Sequence, residues 1–196
     1  MKRIKLFESF VNEDLAPAGF EKEILVHSTE KSNTPSIIEN GLGASDNPVI
    51  TSGIYTFPQS WDLHNSSFDK KQTDFYYIKM KPGSKILWTD ADRPMDYLFG
   101  RVGKEFKPVW EKIVKETGMK DENSIFGLGM GTPAWFEWKT KFHRAVEKYM
   151  KDNGYDYIQE GGQIVITNLD AIESIMLNKK MPIKINLDKY RQGKKS

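Results

Sequence analysis

The segment TPAWFEWKTKFHRAVEKYMKDNG, residues 132–154, constrains the fold more than any other. Its apolar residues recur at helical spacing, so that Trp135, Trp138, Phe142, Val146 and Tyr149 fall on one stripe. Thr132 supplies a hydroxyl where an N-cap accepts from the first turn. Pro133 has the φ of a helix start and no N–H to lose. Gly154 can adopt the left-handed conformation that ends a helix. The aromatic stripe reads as core rather than as a partner surface. A second amphipathic helix precedes it in KEFKPVWEKIVKETG, where Phe106, Val109, Trp110 and Ile113 share a face.

Strands bracket these helices. EILVHS, GIYTF, FYYIKMK and KILWT read as strands before them, the last two separated by a PGS turn, and YDYIQ, QIVIT, SIMLN and IKINL after them. Between the first two strands, Pro35 after Thr34 opens a short helix over SIIENG, and Gly41 stops it. SWDLHNSSFDKKQTD reads as a polar loop. Strands at both ends with helices between them predict an α+β fold rather than regular βαβ alternation.

The 196 residues suffice for one compact domain, placed at 20–196, behind an appendage at 1–19. That appendage, MKRIKLFESFVNEDLAPAG, reads as an amphipathic helix with Ile4, Phe7 and Val11 on one stripe and Leu6 and Phe10 beside it, broken by APAG. Lys and Arg total 29 against 27 Asp and Glu, which disfavours nucleic acid as the partner. The basic KYRQGKK near the end reads as a solvated tail. Without Cys there are no disulfides, no thiolate zinc sites and no Cys nucleophile. His64 and His143 lack spaced ligand partners, so no metal is expected. The chain has no apolar stretch of membrane-span length, and MKRIKLF has no signal-peptide apolar core, so neither a membrane nor secretion is expected.

Three pieces of sequence, in order, carry a resemblance. LVHST, SIIENGL and SGIYTF are similar to the opening half of the ADP-ribosyltransferase fold in its His-Tyr-Glu class, and GYDYIQEGGQIVITNLDAIESI is similar to the closing pattern of its phage and bacterial members. The likeness covers about residues 23–177, the middle third in element order only. It implies an α+β domain built on a split pair of small antiparallel sheets with flanking helices, with NAD as co-substrate. His27 would bond the adenosine-side ribose. Ser28 stands where the family often has a Gly that clamps the nicotinamide amide, and Thr29 and Gly53 would line the same pocket. Tyr55 would stack on the nicotinamide, a role that suits an aromatic face and a flat cation.

The implied reaction is loss of nicotinamide through an oxocarbenium-like transition state, which favours a nearby carboxylate. At the family's Glu position this chain has Gln163, which can hydrogen-bond a ribose hydroxyl but carries no charge. Three explanations stand open. The protein transfers single ADP-ribose units with help from the target's own carboxylate; or Glu160 reaches the site, which requires the GG loop to fold back; or Gln replaces a native Glu. Gly161 stands where arginine-modifying members carry Glu or Gln, so that target preference is not implied.

MKRIKLFESFVNE also resembles the capsid-targeting segments of internal head proteins in T-even-type phages, which are removed after a Glu, here Glu13. Together the resemblances imply a mono-ADP-ribosyltransferase carried in the virion, injected into the host cytoplasm and acting on a host protein. The alternatives are an inert internal head or NAD-binding protein, an NAD glycohydrolase, and modification of nucleic acid. FGLGMGTP lacks the Lys-Ser/Thr of a phosphate loop and reads as the lead into the Thr132 cap, and WTDAD and MKDEN read as turns or helix caps rather than calcium loops.

Overall fold

A computed structural model describes residues 20–45, 50–60 and 71–186. The segment expected to form an N-terminal helix and to be cut after Glu13, together with His64 and the basic tail, lies outside the described residues. Eight strands run in the order β4-β5-β6-β2-β1-β3-β7-β8: β1 Leu25–Glu30, β2 Ile54–Pro58, β3 Thr73–Met80, β4 Ile86–Leu87, β5 Tyr157–Glu160, β6 Gln163–Ile166, β7 Ile172–Leu177 and β8 Met181–Pro182. The α-helices are α1 Thr34–Asn40, α2 Pro94–Leu98, α3 Lys107–Glu116, α4 Glu122–Phe126 and α5 Pro133–Asn153. The fold is α+β. All pairings between the strands are antiparallel except β4 with β5, which makes the sheet mixed.

The resemblance implied two separate sheets, and the structure joins the strands into one ladder whose halves meet at a narrow seam. β1 and β2 pair only at Leu25 with Pro58 and Val26 with Phe57, whereas β1 pairs with β3 along all six of its residues. One core cluster takes side chains from both halves: Leu25, Tyr76, Ile78 and Ile175 from one, and Ile54, Tyr157, Ile164 and Ile166 from the other. A second cluster sits between the β4–β5–β6–β2 half and the helices, where Ile158 and Val165 meet Tyr97, Phe106, Trp110, Trp138, Phe142 and Val146.

The helix ends follow the local chemistry. Thr132 Oγ1 accepts the Trp135 N–H at 3.2 Å, and Gly154 closes α5 at φ 72°. Asp121, within the stretch read as a cap, forms a capping box with Ser124 that starts α4. Gly41 ends α1 at φ 85°, and a Cβ there would lie 2.7 Å from the Lys184 carbonyl, so the 184–186 segment can rest directly on the loop. The segment read as a strand at IKINL is different in the structure. Met181–Pro182 pairs with β7, and Ile185 makes only an isolated bridge to Leu42. The short helices α2 and α4 were not anticipated, because five residues are too few to show a helical period.

Candidate functional site

The seam between β1 and β2 ends at His27. Beyond Val26 the ladder stops, and the His27 ring takes its place: Nδ1–H donates to the Tyr55 carbonyl at 2.8 Å. Burial holds the imidazole below its ordinary value, against the opposing pull of that bond, so it is neutral at pH 7. With its hydrogen on Nδ1, Nε2 is an acceptor. The ring stands beside Tyr76, with centroids 6.0 Å apart, and forms one wall of a cleft of about 430 Å³. Thr29, Asn33, Ile37, Asn40, the loop 41–44 and Asn186 line the rest. Thr29 Oγ1 accepts from Asn33 Nδ2 at 3.1 Å.

Of the residues named from sequence, His27 and Thr29 line this cleft. Ser28 alternates to the other face of β1, opposite Phe75. Gly53 is explained by packing: a Cβ there would lie 2.4 Å from the Ile166 carbonyl, where β6 crosses close to it. Tyr55 points away from the His27 ring. It pairs with Val165 and packs toward the helical layer, its hydroxyl donating to the Thr51 carbonyl at 2.8 Å. The imidazole and the phenol therefore lie on opposite faces, joined through the Tyr55 backbone.

The β5–β6 hairpin brings Glu160 and Gln163 directly opposite each other across the two-residue Gly161–Gly162 turn. Strand alternation puts both on the face of Ile158, Val165 and Tyr55. No fold-back of the GG loop is needed for Glu160 to join Tyr55. Gly161, at φ 62°, lets the turn pass against Arg93 and Pro94 at the start of α2. Gln163 is exposed, whereas Glu160 is 5% exposed under α5.

Around Glu160 lies a buried polar cluster that sequence reasoning missed. Thr51 Oγ1 donates to Glu160 Oε1, and His143 Nδ1 lies 2.8 Å from the same hydroxyl. Burial raises the Glu160 carboxyl to about 7; the Thr51 bond and Lys139 pull it down, and Glu147 pushes it up. Burial, Lys139 and Arg144 lower His143 to about 3. Tyr55 is raised, first by burial and then by Glu160 and Glu147. Burial lowers Lys139, and Glu160 opposes that shift. At the rim, Arg144 Nη1 bonds Ser52 Oγ at 2.8 Å and Glu147 Oε2 at 2.6 Å, while the Ser52 N–H donates to Glu147 at 2.7 Å. A signal was present in the sequence: Lys139, His143 and Glu147 recur every four residues along the long helix, and His143 falls beside its apolar stripe.

Among the described residues no group of three or more His, Cys, Asp or Glu could hold a metal ion, and no helix is long and apolar enough to cross a membrane. Comparison with known families, characterised proteins and solved structures finds no match to this chain.

Proposed function

We propose that the chain binds NAD and transfers its ADP-ribose to a macromolecule, a host protein during phage infection. The observation that carries this reading is the seam at His27. A side chain replaces the ladder between two strands, a neutral imidazole offers Nε2 as an acceptor, and a cleft of about 430 Å³ opens beside it, a size suited to part of a dinucleotide. The two halves of the sheet then correspond to the split pair of the ADP-ribosyltransferase class. NAD would pass through the gap where the β1–β2 ladder stops, its adenosine ribose at His27 and Thr29 on one face and its nicotinamide at the partly exposed ring of Tyr55 on the other.

In the reaction the C1′–N bond breaks and its electron pair neutralises the pyridinium as nicotinamide leaves. The acceptor's lone pair forms the new bond to C1′, and its proton passes to a base. The oxocarbenium-like centre needs negative charge. Glu160 supplies it from the face of Tyr55, and Gln163, opposite it on the hairpin, bonds a ribose hydroxyl. The N-terminal segment would direct the protein into the phage head before its removal after Glu13.

Incubation with NAD labelled in the adenylate moiety, with host lysate as acceptor, tests the reading. Label on a protein band is expected, and His27→Ala and Tyr55→Ala should abolish it. Intact NAD after prolonged incubation with the wild-type protein would refute it. A second reading, hydrolysis of NAD, is favoured by the Gly161–Gly162 turn, which leaves no loop on that hairpin to hold a protein acceptor. It predicts free ADP-ribose without a labelled band.

A further inference from the structure

The cluster beneath α5 contains more than the transfer reading uses. The Thr51 hydroxyl has one hydrogen, and it is committed to Glu160 Oε1. The 2.8 Å contact with His143 is then satisfied only if Nδ1 carries the imidazole hydrogen. Nε2 is left as an acceptor, and it is buried with no hydrogen bond among the described residues. Two aromatic rings flank the imidazole. Phe142 meets it edge-on with centroids 5.6 Å apart, and Tyr97 lies against it at 6.4 Å. With Glu160 ionised, the order of donation runs one way, from His143 to Thr51 to Glu160. It ends on Oε1 and leaves Oε2 with no hydrogen bond among the described residues.

The groups facing Glu160 come from every element packed against it. They are Lys139, His143 and Glu147 from α5, Tyr55 from β2, Tyr97 from α2 and Gln163 across the hairpin. None of these bonds the carboxylate directly: its hydrogen bond comes from Thr51, which His143 contacts at 2.8 Å while standing 4.0 Å from Oε1 itself.

We propose that Thr51 and His143 are positioning residues that hold Glu160 by Oε1 in its hydrogen-bond-accepting form, so that Oε2 is presented to the bound substrate; the substrate part of this inference rests on the NAD reading. The two residues touch no substrate. They act by fixing the rotamer of the carboxylate and by favouring its charged state.

The test is the ionisation of Glu160, followed by carboxyl carbon NMR on the full chain, together with the pH dependence of NAD turnover. Thr51→Val keeps the side-chain shape and removes the hydroxyl. It should raise the Glu160 midpoint by about one pH unit, a tenfold change in its ionisation constant. Thr51→Ser should restore the wild-type midpoint. His143→Asn keeps an N–H near the place of Nδ1 and should leave the midpoint close to wild type, whereas His143→Leu should raise it. In turnover, Thr51→Val should lower kcat about fivefold at neutral pH with KM unchanged, and alkaline pH should recover the rate. A wild-type midpoint in both Thr51→Val and His143→Leu overturns the proposed relay. Turnover that falls equally at every pH overturns the positioning role. If the midpoints shift as expected but wild-type protein leaves NAD intact, the relay stands and the dinucleotide reading falls.

Discussion

Replacing Glu160 by Gln changes how the stability of the protein depends on pH. Folded Glu160 releases its proton near 7, because burial penalises the carboxylate more than Thr51 and Lys139 favour it, while an open chain releases it near 4.5. Between these values the folded state holds a proton that the unfolded state has lost. Stability from this group is thus complete below pH 4.5 and is lost as pH rises through 7. The loss is about 1.4 kcal/mol per pH unit at its steepest and about 3 kcal/mol in total. His143 acts in the opposite sense. Its folded value is about 3 against 6.5 in an open chain, so its contribution is complete above 6.5 and is lost as pH falls through 3. Over the shared window, pH 4.5–6.5, the two slopes oppose and wild-type stability is nearly level.

Glu160→Gln removes one of the two slopes. Gln keeps the length of the side chain and an oxygen for the Thr51 hydroxyl, so packing changes little. The variant should gain on wild type by about 3 kcal/mol between pH 4.5 and 7. Urea unfolding reports this, followed by the fluorescence of the buried Trp110, Trp135 and Trp138 at several pH values. His143→Asn is the mirror control, whose stability should fall over the same window. If Glu160→Gln and wild type differ by a constant amount at every pH, the carboxyl titrates alike in both states and is not the buried group described above.

Other outcomes follow from the packing. Gly161→Ala should cost more than about 1 kcal/mol, since φ is 62° and a Cβ would meet the Arg93 carbonyl carbon at 2.2 Å. Gly162→Ala, with nothing within 4 Å of its Cβ position, should shift stability by less than about 0.5 kcal/mol, and paired thermal melts separate the two. Trp138→Ala removes a buried ring that packs at a tilt between Trp135 and Phe142 and should cost about 3–5 kcal/mol in urea unfolding.

The local signals in the sequence were readable because their causes are local. Thr132, Pro133 and Gly154 bound α5 through bonds within a few residues, and Pro35 and Gly41 do the same for α1. The α+β order followed from the same signals. Pairing did not. KILWT follows FYYIKMK by one turn, yet β4 pairs in parallel with β5, about seventy residues on, because Ile86 and Leu87 are buried beside Tyr157 and Ile158. The site divides in the same way. His27 was singled out by a motif. Its bond to the Tyr55 carbonyl, and the opposite orientation of the two rings, depend on where one ladder stops. The Thr51–Glu160–His143 cluster joins residues 92 and 109 positions apart, and only burial by the folded hairpin and helix gives it chemical meaning.

That burial also decides what Gln163 does. Glu160 and Gln163 are direct partners on one face, one covered by α5 and the other open to water. In the transfer reading the charge at the ribose comes from Glu160, so wild-type turnover should rise with pH through about 7. Gln163→Glu places a second carboxylate opposite the first, and like charges across a ladder repel. The exposed group ionises first, within the ordinary carboxylate range, and pushes the buried one higher. Turnover in Gln163→Glu should therefore be faster than wild type and should already be present well below pH 7. Glu160→Gln combined with Gln163→Glu should keep that early onset, because the buried carboxylate is no longer the source of charge. A rate and profile identical to wild type in Gln163→Glu would remove position 163 from the ribose. A profile that still turns on near pH 7 in the double variant would show that the group titrating there is not Glu160.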